Sequence, residues 1–250
     1  MRKIVIMVFA ALAFDSFANA AGIKTMVVKY PSGSDTVTAY LAMPSSGGKR
    51  PALIVIHEWW GLTDWIRQNA RDLASRGYVA LAIDLYHGGL TSNPQEAYRL
   101  MMSVPKERAA TDLKAAFDYL STMDNVNPAK IGVIGWCMGG SYSFQAALAL
   151  PKLAACVIDY GKVDASKSSV DKIGCPVLCN FAEKDKTYTP DMAKAFASAM
   201  KANGKQVELH IYPGVDHAFM NPNNTFGYNE AQSEIAWKNI YAFLDKHLKH

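Results

Sequence analysis

At 250 residues, half of them hydrophobic and 19% charged, the chain is long enough for one sizeable globular domain, and it carries no internal repeat or low-complexity tract. A formal net charge of +4, with lysines and arginines scattered among acids, excludes the basic stripe of a nucleic-acid binder and the polybasic patch of a membrane-surface protein. No Cys/His spacing fits a metal centre, since His57-Glu58 lacks the second histidine of a H-E-x-x-H motif.

Arg2 and Lys3 precede an apolar run from Ile4 to Phe14, and Ala18-Asn19-Ala20 has the form of a cleavage site. The pattern predicts a secretory signal peptide over residues 1–20, with an apolar stretch too short to span a bilayer. The expected mature chain, residues 21–250, is then one domain, secreted or periplasmic, with no stable membrane anchor. Its oligomeric state is not encoded in any pattern.

Past the leader, strand and helix patterns alternate. Residues 25–30 and 36–43 read as two opening strands joined by Pro31-Ser32-Gly33. Ala52 to His57 is a continuous apolar run, as expected of a strand buried on both faces. A helix follows from about Trp65 to Arg76, capped by Thr63 or Asp64 and stopped at Gly77. Tyr78 to Leu85 is the next strand, Asn93-Pro94 opens a short helix, and a longer helix runs from about Lys106 to Ser121. Next come a strand at Ile131–Ile134 and a small-residue helix at Gly139–Leu150. Strands are expected at 154–159, 176–181 and 207–212, and helices at 191–202 and 230–249. Repeated strand–helix–strand units with apolar strands predict an α/β fold, a mostly parallel sheet covered by helices on both faces, with ligands at the C-terminal strand ends.

Export would place the four cysteines in an oxidising space. Cys175 and Cys179, read on one strand, would stand about 13 Å apart, too far for a bridge. Cys156, on a neighbouring strand, is left either bridged to one of them or buried as a small hydrophobe.

The segment Gly135-Trp136-Cys137-Met138-Gly139-Gly140 has the form of the G-x-S-x-G nucleophile elbow with cysteine in the serine position. A strand feeds a sharp turn and a helix begins just after it. Residues two before and two after the nucleophile pack together, so both must be tiny. The helix N-terminus also favours a thiolate.

The other reactive side chains just past predicted strands are Glu58, Asp84, Asp159, Asp185 and His217. A thiol nucleophile needs a base, and the base needs an orienting acid. The chain order nucleophile, acid, histidine selects Cys137, Asp185 and His217, with Asp159, Glu183 and Asp216 as rival acids. His57 and His87 stand at strand ends where they can line a pocket. Oxyanion stabilisation is expected from the backbone N–H groups of Met138 and Trp59.

Ile56-His57-Glu58-Trp59-Trp60-Gly61-Leu62, the stretch Arg76 to Tyr86, the Gly135–Gly140 elbow, Ala182 to Asp185 and Tyr212 to Phe219 together resemble the dienelactone hydrolase family, with matching spacing from about residue 25 to the C-terminus. The resemblance implies an α/β-hydrolase fold and a Cys137–Asp185–His217 triad working through an acyl-enzyme, with no cofactor or metal. It also implies that Glu58 contacts the thiol and takes part in activating it. The namesake enzymes hold a substrate carboxylate with two arginines, and Gly88 and Asn221 stand at those positions here. Bidentate carboxylate recognition is therefore not expected. Trp60, Tyr86, Trp136, Tyr160 and Phe219, beside Trp59, are expected to line the pocket and to favour a small neutral or aromatic ester or lactone. The alternative reading is a ligand-binding or thiol redox protein on the same fold.

Overall fold

A computed structural model describes residues 22–250; the signal-peptide expectation for residues 1–20 lies outside the described residues. Among the described residues no helix is long and apolar enough to cross a membrane.

The elements in chain order are β1 (Ile23–Ser32), β2 (Asp35–Pro44), β3 (Arg50–Ile56), α1 (Asp64–Ser75), β4 (Val79–Ile83), α2 (Pro94–Met102), α3 (Lys106–Thr122), β5 (Val126–Trp136), α4 (Met138–Ala149), β6 (Ala155–Asp159), α5 (Lys167–Val170), β7 (Val177–Ala182), α6 (Pro190–Ala202), β8 (Val207–Tyr212) and α7 (Glu230–Leu248). They build one eight-stranded sheet in the order β1-β2-β4-β3-β5-β6-β7-β8. The β1–β2 and β2–β4 pairings are antiparallel, and every pairing from β4 to β8 is parallel.

The apolar strands are explained by burial on two sides. On β3, Ala52, Ile54 and Ile56 join a core shared with Leu113 and Phe117 of α3, Phe144 of α4 and Phe196 of α6. Leu53 and Val55 point the other way, into a second core with Ile66, Ala70 and Leu73 of α1 and Ile240, Phe243 and Leu244 of α7. Alternate side chains serve opposite faces of the sheet, so a strand between two helical layers has no polar face to show.

Two local readings change. Strand β7 begins at Val177, so Cys175 precedes the strand rather than sharing it with Cys179. Cys156, Cys175 and Cys179 are buried free thiols, and burial pushes all three upward in pKa. The one-turn helix α5 has no counterpart in the sequence reading, because Lys167-Ser168-Ser169-Val170 is too short to show a helical period.

Candidate active site

Strand β5 delivers Trp136 into the sheet and the chain then reverses sharply. Cys137 adopts φ 57° and ψ −113°, and α4 begins at the next residue. The Cys137 N–H donates to the Asp159 carbonyl at 3.0 Å, tying the turn to β6. The flanking glycines are sterically required. A Cβ on Gly135 would collide with the backbone of Gly139, and one on Gly139 would collide with the Ile56 carbonyl. Met138 is the first residue of α4, so its N–H has no carbonyl four residues back within the helix.

Three strand ends bring the polar partners together. Asp185 follows β7, and its Oδ1 accepts from the Thr187 and Tyr188 N–H groups at 2.8 and 3.0 Å. This turn aims Oδ2 at His217 Nδ1, 2.6 Å away. The opposite ring nitrogen, Nε2, lies 3.1 Å from Cys137 Sγ. The His217 loop after β8 is pinned by Asn224, whose amide donates to the His217 and Ala218 carbonyls at 3.1 and 3.3 Å. Of the rival acids, Asp159 pairs with the Asn180 amide at 2.7 Å, Glu183 accepts from the Gly214 N–H, and Asp216 accepts from the His217 backbone N–H. None of the three takes the Nδ1 position.

The electrostatics follow from this packing. Burial opposes a charged His217, yet the Asp185 carboxylate and the Cys137 sulfur outweigh it and hold the imidazole at about 10. Burial also pushes Asp185 upward, but the His217 ring and the turn N–H groups win and leave it below the usual carboxylate range. An imidazole bonded to a thiol on one side and a carboxylate on the other can accept a proton from sulfur and stabilise the resulting charge.

Glu58 departs from expectation. It is buried just past β3, and its Oε2 accepts from Asn221 Nδ2 at 2.5 Å while Oε1 accepts from the Tyr160 hydroxyl at 3.5 Å. The hydrogen-bond partner of the thiol is His217, and Glu58 is turned toward the amide and the phenol. Burial pushes the Glu58 carboxyl up to about 7, against the pull of Asn221, His217 and Tyr160.

The expected pocket residues divide. Trp136 is fully buried between the Trp65 and Trp237 rings, at 5.3 and 5.7 Å, and belongs to the core rather than to a pocket wall. Its side chain takes the α1/α7 side of the sheet, where the second core lies. Phe219 is likewise fully buried, against Tyr160 and Tyr212. Tyr160 is buried too, but its ring edge supports His217 at 5.2 Å. Tyr86 is a brace: its hydroxyl donates to the Trp59 carbonyl at 2.9 Å and lies 3.3 Å from Met138 Sδ. It thus links the two segments expected to supply oxyanion N–H groups. Trp59 and Trp60 remain half-buried at the β3 end, with rings 4.8 Å apart.

His57 does not line a pocket. It is fully buried, donating from Nδ1 to the Glu58 carbonyl at 2.5 Å and accepting at Nε2 from the Leu85 N–H at 3.2 Å. His87 instead contacts Asp35 and Asp112, at 3.1 and 3.0 Å. Sequence reasoning missed Tyr188, whose ring stands 5.6 Å from His217. Its only signal is its place three residues after Asp185, within the turn that orients the carboxylate. Among the described residues no group of three or more His, Cys, Asp or Glu side chains is placed to hold a metal ion.

A model of the dienelactone hydrolase family matches residues 37–248. "Protein usf" of Aquifex pyrophilus is 34% identical over 230 residues, covering 89% of this chain and 98% of its own. A Bradyrhizobium protein named "Probable 2-oxo-3-(5-oxofuran-2-ylidene)propanoate lactonase" is 30% identical over 223 residues, covering 84% of this chain and 89% of its own. Among solved structures, a dienelactone hydrolase-like promiscuous phosphotriesterase from metagenomic libraries superposes with a TM-score of 0.83 at 20% identity, covering 91% of this chain and 99% of that one, and so shares the α/β-hydrolase fold.

Proposed function

This chain belongs to the dienelactone hydrolase family and is a hydrolase of the lactone and ester type, and from that premise we propose that it works through Cys137, His217 and Asp185 on an uncharged substrate. The observation that carries this reading is the continuous line Cys137 Sγ–His217 Nε2, His217 Nδ1–Asp185 Oδ2, with spacings of 3.1 and 2.6 Å. Cys137 Sγ attacks the substrate carbonyl while His217 Nε2 carries the proton taken from the sulfur. The oxyanion is held by the Met138 and Trp59 backbone N–H groups, on segments braced by Tyr86. Collapse of the tetrahedral adduct expels the alcohol oxygen, which takes the proton from His217, and leaves a thioester on Cys137. His217 then removes a proton from water, whose oxygen attacks the thioester, releasing the acid and the thiol.

Preference for a neutral substrate rests on the two positions where the family's arginines would stand. Gly88 has no side chain and donates its N–H to Asp84, and the Asn221 amide is committed to Glu58. Secretion or a periplasmic location is proposed from the residue 1–20 pattern alone.

The test is hydrolysis of 4-nitrophenyl acetate by the chain and by its Cys137→Ala variant, with mass spectrometry of the quenched enzyme. The expected result is turnover lost in the variant, with an acetyl adduct on Cys137 in the parent. Turnover that survives Cys137→Ala overturns the assignment. N-terminal sequencing of the exported protein tests the location: a mature start near Ala21 supports it, and an intact Met1 in the cell interior refutes it.

A further inference from the structure

A cavity with a volume of about 640 Å³ lies away from Cys137 and His217, in the groove between α1 and α7. That is within the size range of small-molecule sites, roughly 300–1,000 Å³. Its walls are aromatic. Trp65 comes from α1, and Trp237 and Tyr241 come from α7, stacked with centroids 5.2 Å apart. Trp136 lies against both Trp65 and Trp237 and extends the aromatic surface inward.

Two buried donors, Asn69 in the groove wall and Trp136 in the core behind Trp65 and Trp237, have no hydrogen-bond partner in the protein. Asn69, which lines the groove and is 4% exposed, leaves Nδ2 unpaired, and the fully buried Trp136 leaves Nε1 unpaired. A buried N–H without an acceptor is destabilising, so a ligand that brings an acceptor oxygen to Asn69 Nδ2 gains there. The charges select against anions. Asp72, Glu230 and Glu234 line the groove against Lys238 and Arg76, and the Arg76 guanidinium is already held 3.5 Å over the Tyr241 ring.

We propose that the α1/α7 groove is an accessory binding site for an uncharged planar ring compound bearing a carbonyl oxygen, lying against Trp65 and Trp237 and accepting from Asn69. The proposal stands apart from the assignment of Cys137. Occupancy would be felt at the elbow, because Trp136 directly precedes Cys137, and at the His217 loop, because Met220 lines the groove beside Asn221.

The five tryptophans make the test specific. Trp59 and Trp60 stand at the β3 end near the thiol, whereas Trp65, Trp136 and Trp237 report on the groove. Coumarin, a neutral planar lactone, is titrated into the ¹⁵N-labelled Cys137→Ala chain while the indole N–H resonances are followed, assigned by single Trp→Phe replacements. The expected result is saturable movement of the Trp65, Trp136 and Trp237 signals, with affinity falling about tenfold in Asn69→Leu, the worth of one hydrogen bond. If Asn69→Leu does not fold, the isosteric Asn69→Asp replaces donor by acceptor and is expected to weaken coumarin at least as much. Movement confined to Trp59 and Trp60, no saturable movement, or unchanged affinity in the folded Asn69 variant overturns the proposal. Because the readout needs no turnover, it fails or succeeds independently of the ester-hydrolysis experiment.

Discussion

Asn221 Nδ2 donates to Glu58 Oε2 at 2.5 Å, and both side chains are buried. A neutral amide thus stands beside a carboxyl that burial has pushed up to about 7. A cation here would hold the carboxyl ionised and would also offer a partner to an anionic substrate.

Asn221→Arg is therefore expected to lower the Glu58 pKa. It should also raise kcat/KM for a carboxylate-bearing lactone relative to a neutral one by about tenfold, the lower range for a charged hydrogen bond. The check is the ratio of the two kcat/KM values in parent and variant. An unchanged ratio would mean that position 221 does not face the substrate.

Asp185→Asn keeps the shape of the turn but removes the charge facing His217 Nδ1. The expected loss in kcat is about 10⁴-fold, as for a triad whose acid is neutralised. The His217 pKa, held at about 10 chiefly against burial by Asp185 and Cys137, should fall toward neutrality. The sign is that of a raised base: its stabilising contribution is complete below the ordinary value of 6.5 and is lost as pH rises through about 10. A ¹⁵N titration of the ring in both proteins tests this, and a His217 pKa unmoved by the substitution would refute the coupling.

Asp159 supplies a prediction of the same slope over a lower pH window. Burial pushes its carboxyl from 3.8 up to about 8, with the Asn180 amide acting against it, and its Oδ2 has no partner in the protein. Between those two values the folded chain keeps a proton that the unfolded chain releases, so stability falls as pH rises across the window. Asp159→Asn should remove that slope, so that its Tm advantage over the parent grows from pH 5 to pH 8. Melting curves at four pH values suffice, and parallel curves for the two proteins would show that Asp159 does not titrate there.

Gly135→Ala inserts a methyl group where the Gly139 backbone already stands. Overpacking of this kind costs about 1–3 kcal/mol, occasionally more. Both Tm and kcat are expected to drop, since relief of the clash must displace Cys137. A variant with a lower Tm and an unchanged kcat would separate packing from nucleophile placement.

Much of the fold is legible because the strands buried on both faces are uninterrupted apolar runs, as in Ala52–Ile56 and Val79–Ile83, and because Asn93, Gly77 and Pro94 punctuate the helices. The residues at the ends of those strands are legible for the same reason, since a parallel sheet collects them at one edge. Side-chain direction is less so. Trp136 and Phe219 sit next to the site in sequence, yet each turns into the core, and nothing in the order of residues tells inward from outward at the end of a strand. The Asn221–Glu58 bond joins residues 163 apart and leaves no periodic trace. Tyr86 and Tyr188 act through a hydroxyl and a tilted ring, contacts that only the folded loops define.

The turn at Cys137 is enforced by missing side chains, and this divides the protein by how freely its positions can vary. At Gly135 and Gly139 an added methyl group would collide with backbone, which has no rotamer to yield. At Gly88 an added carbon would meet nothing within 4 Å, although its φ of +113° still disfavours other residues. A lineage built on this scaffold can therefore exchange what surrounds the incoming molecule while the sulfur and its turn are inherited unchanged.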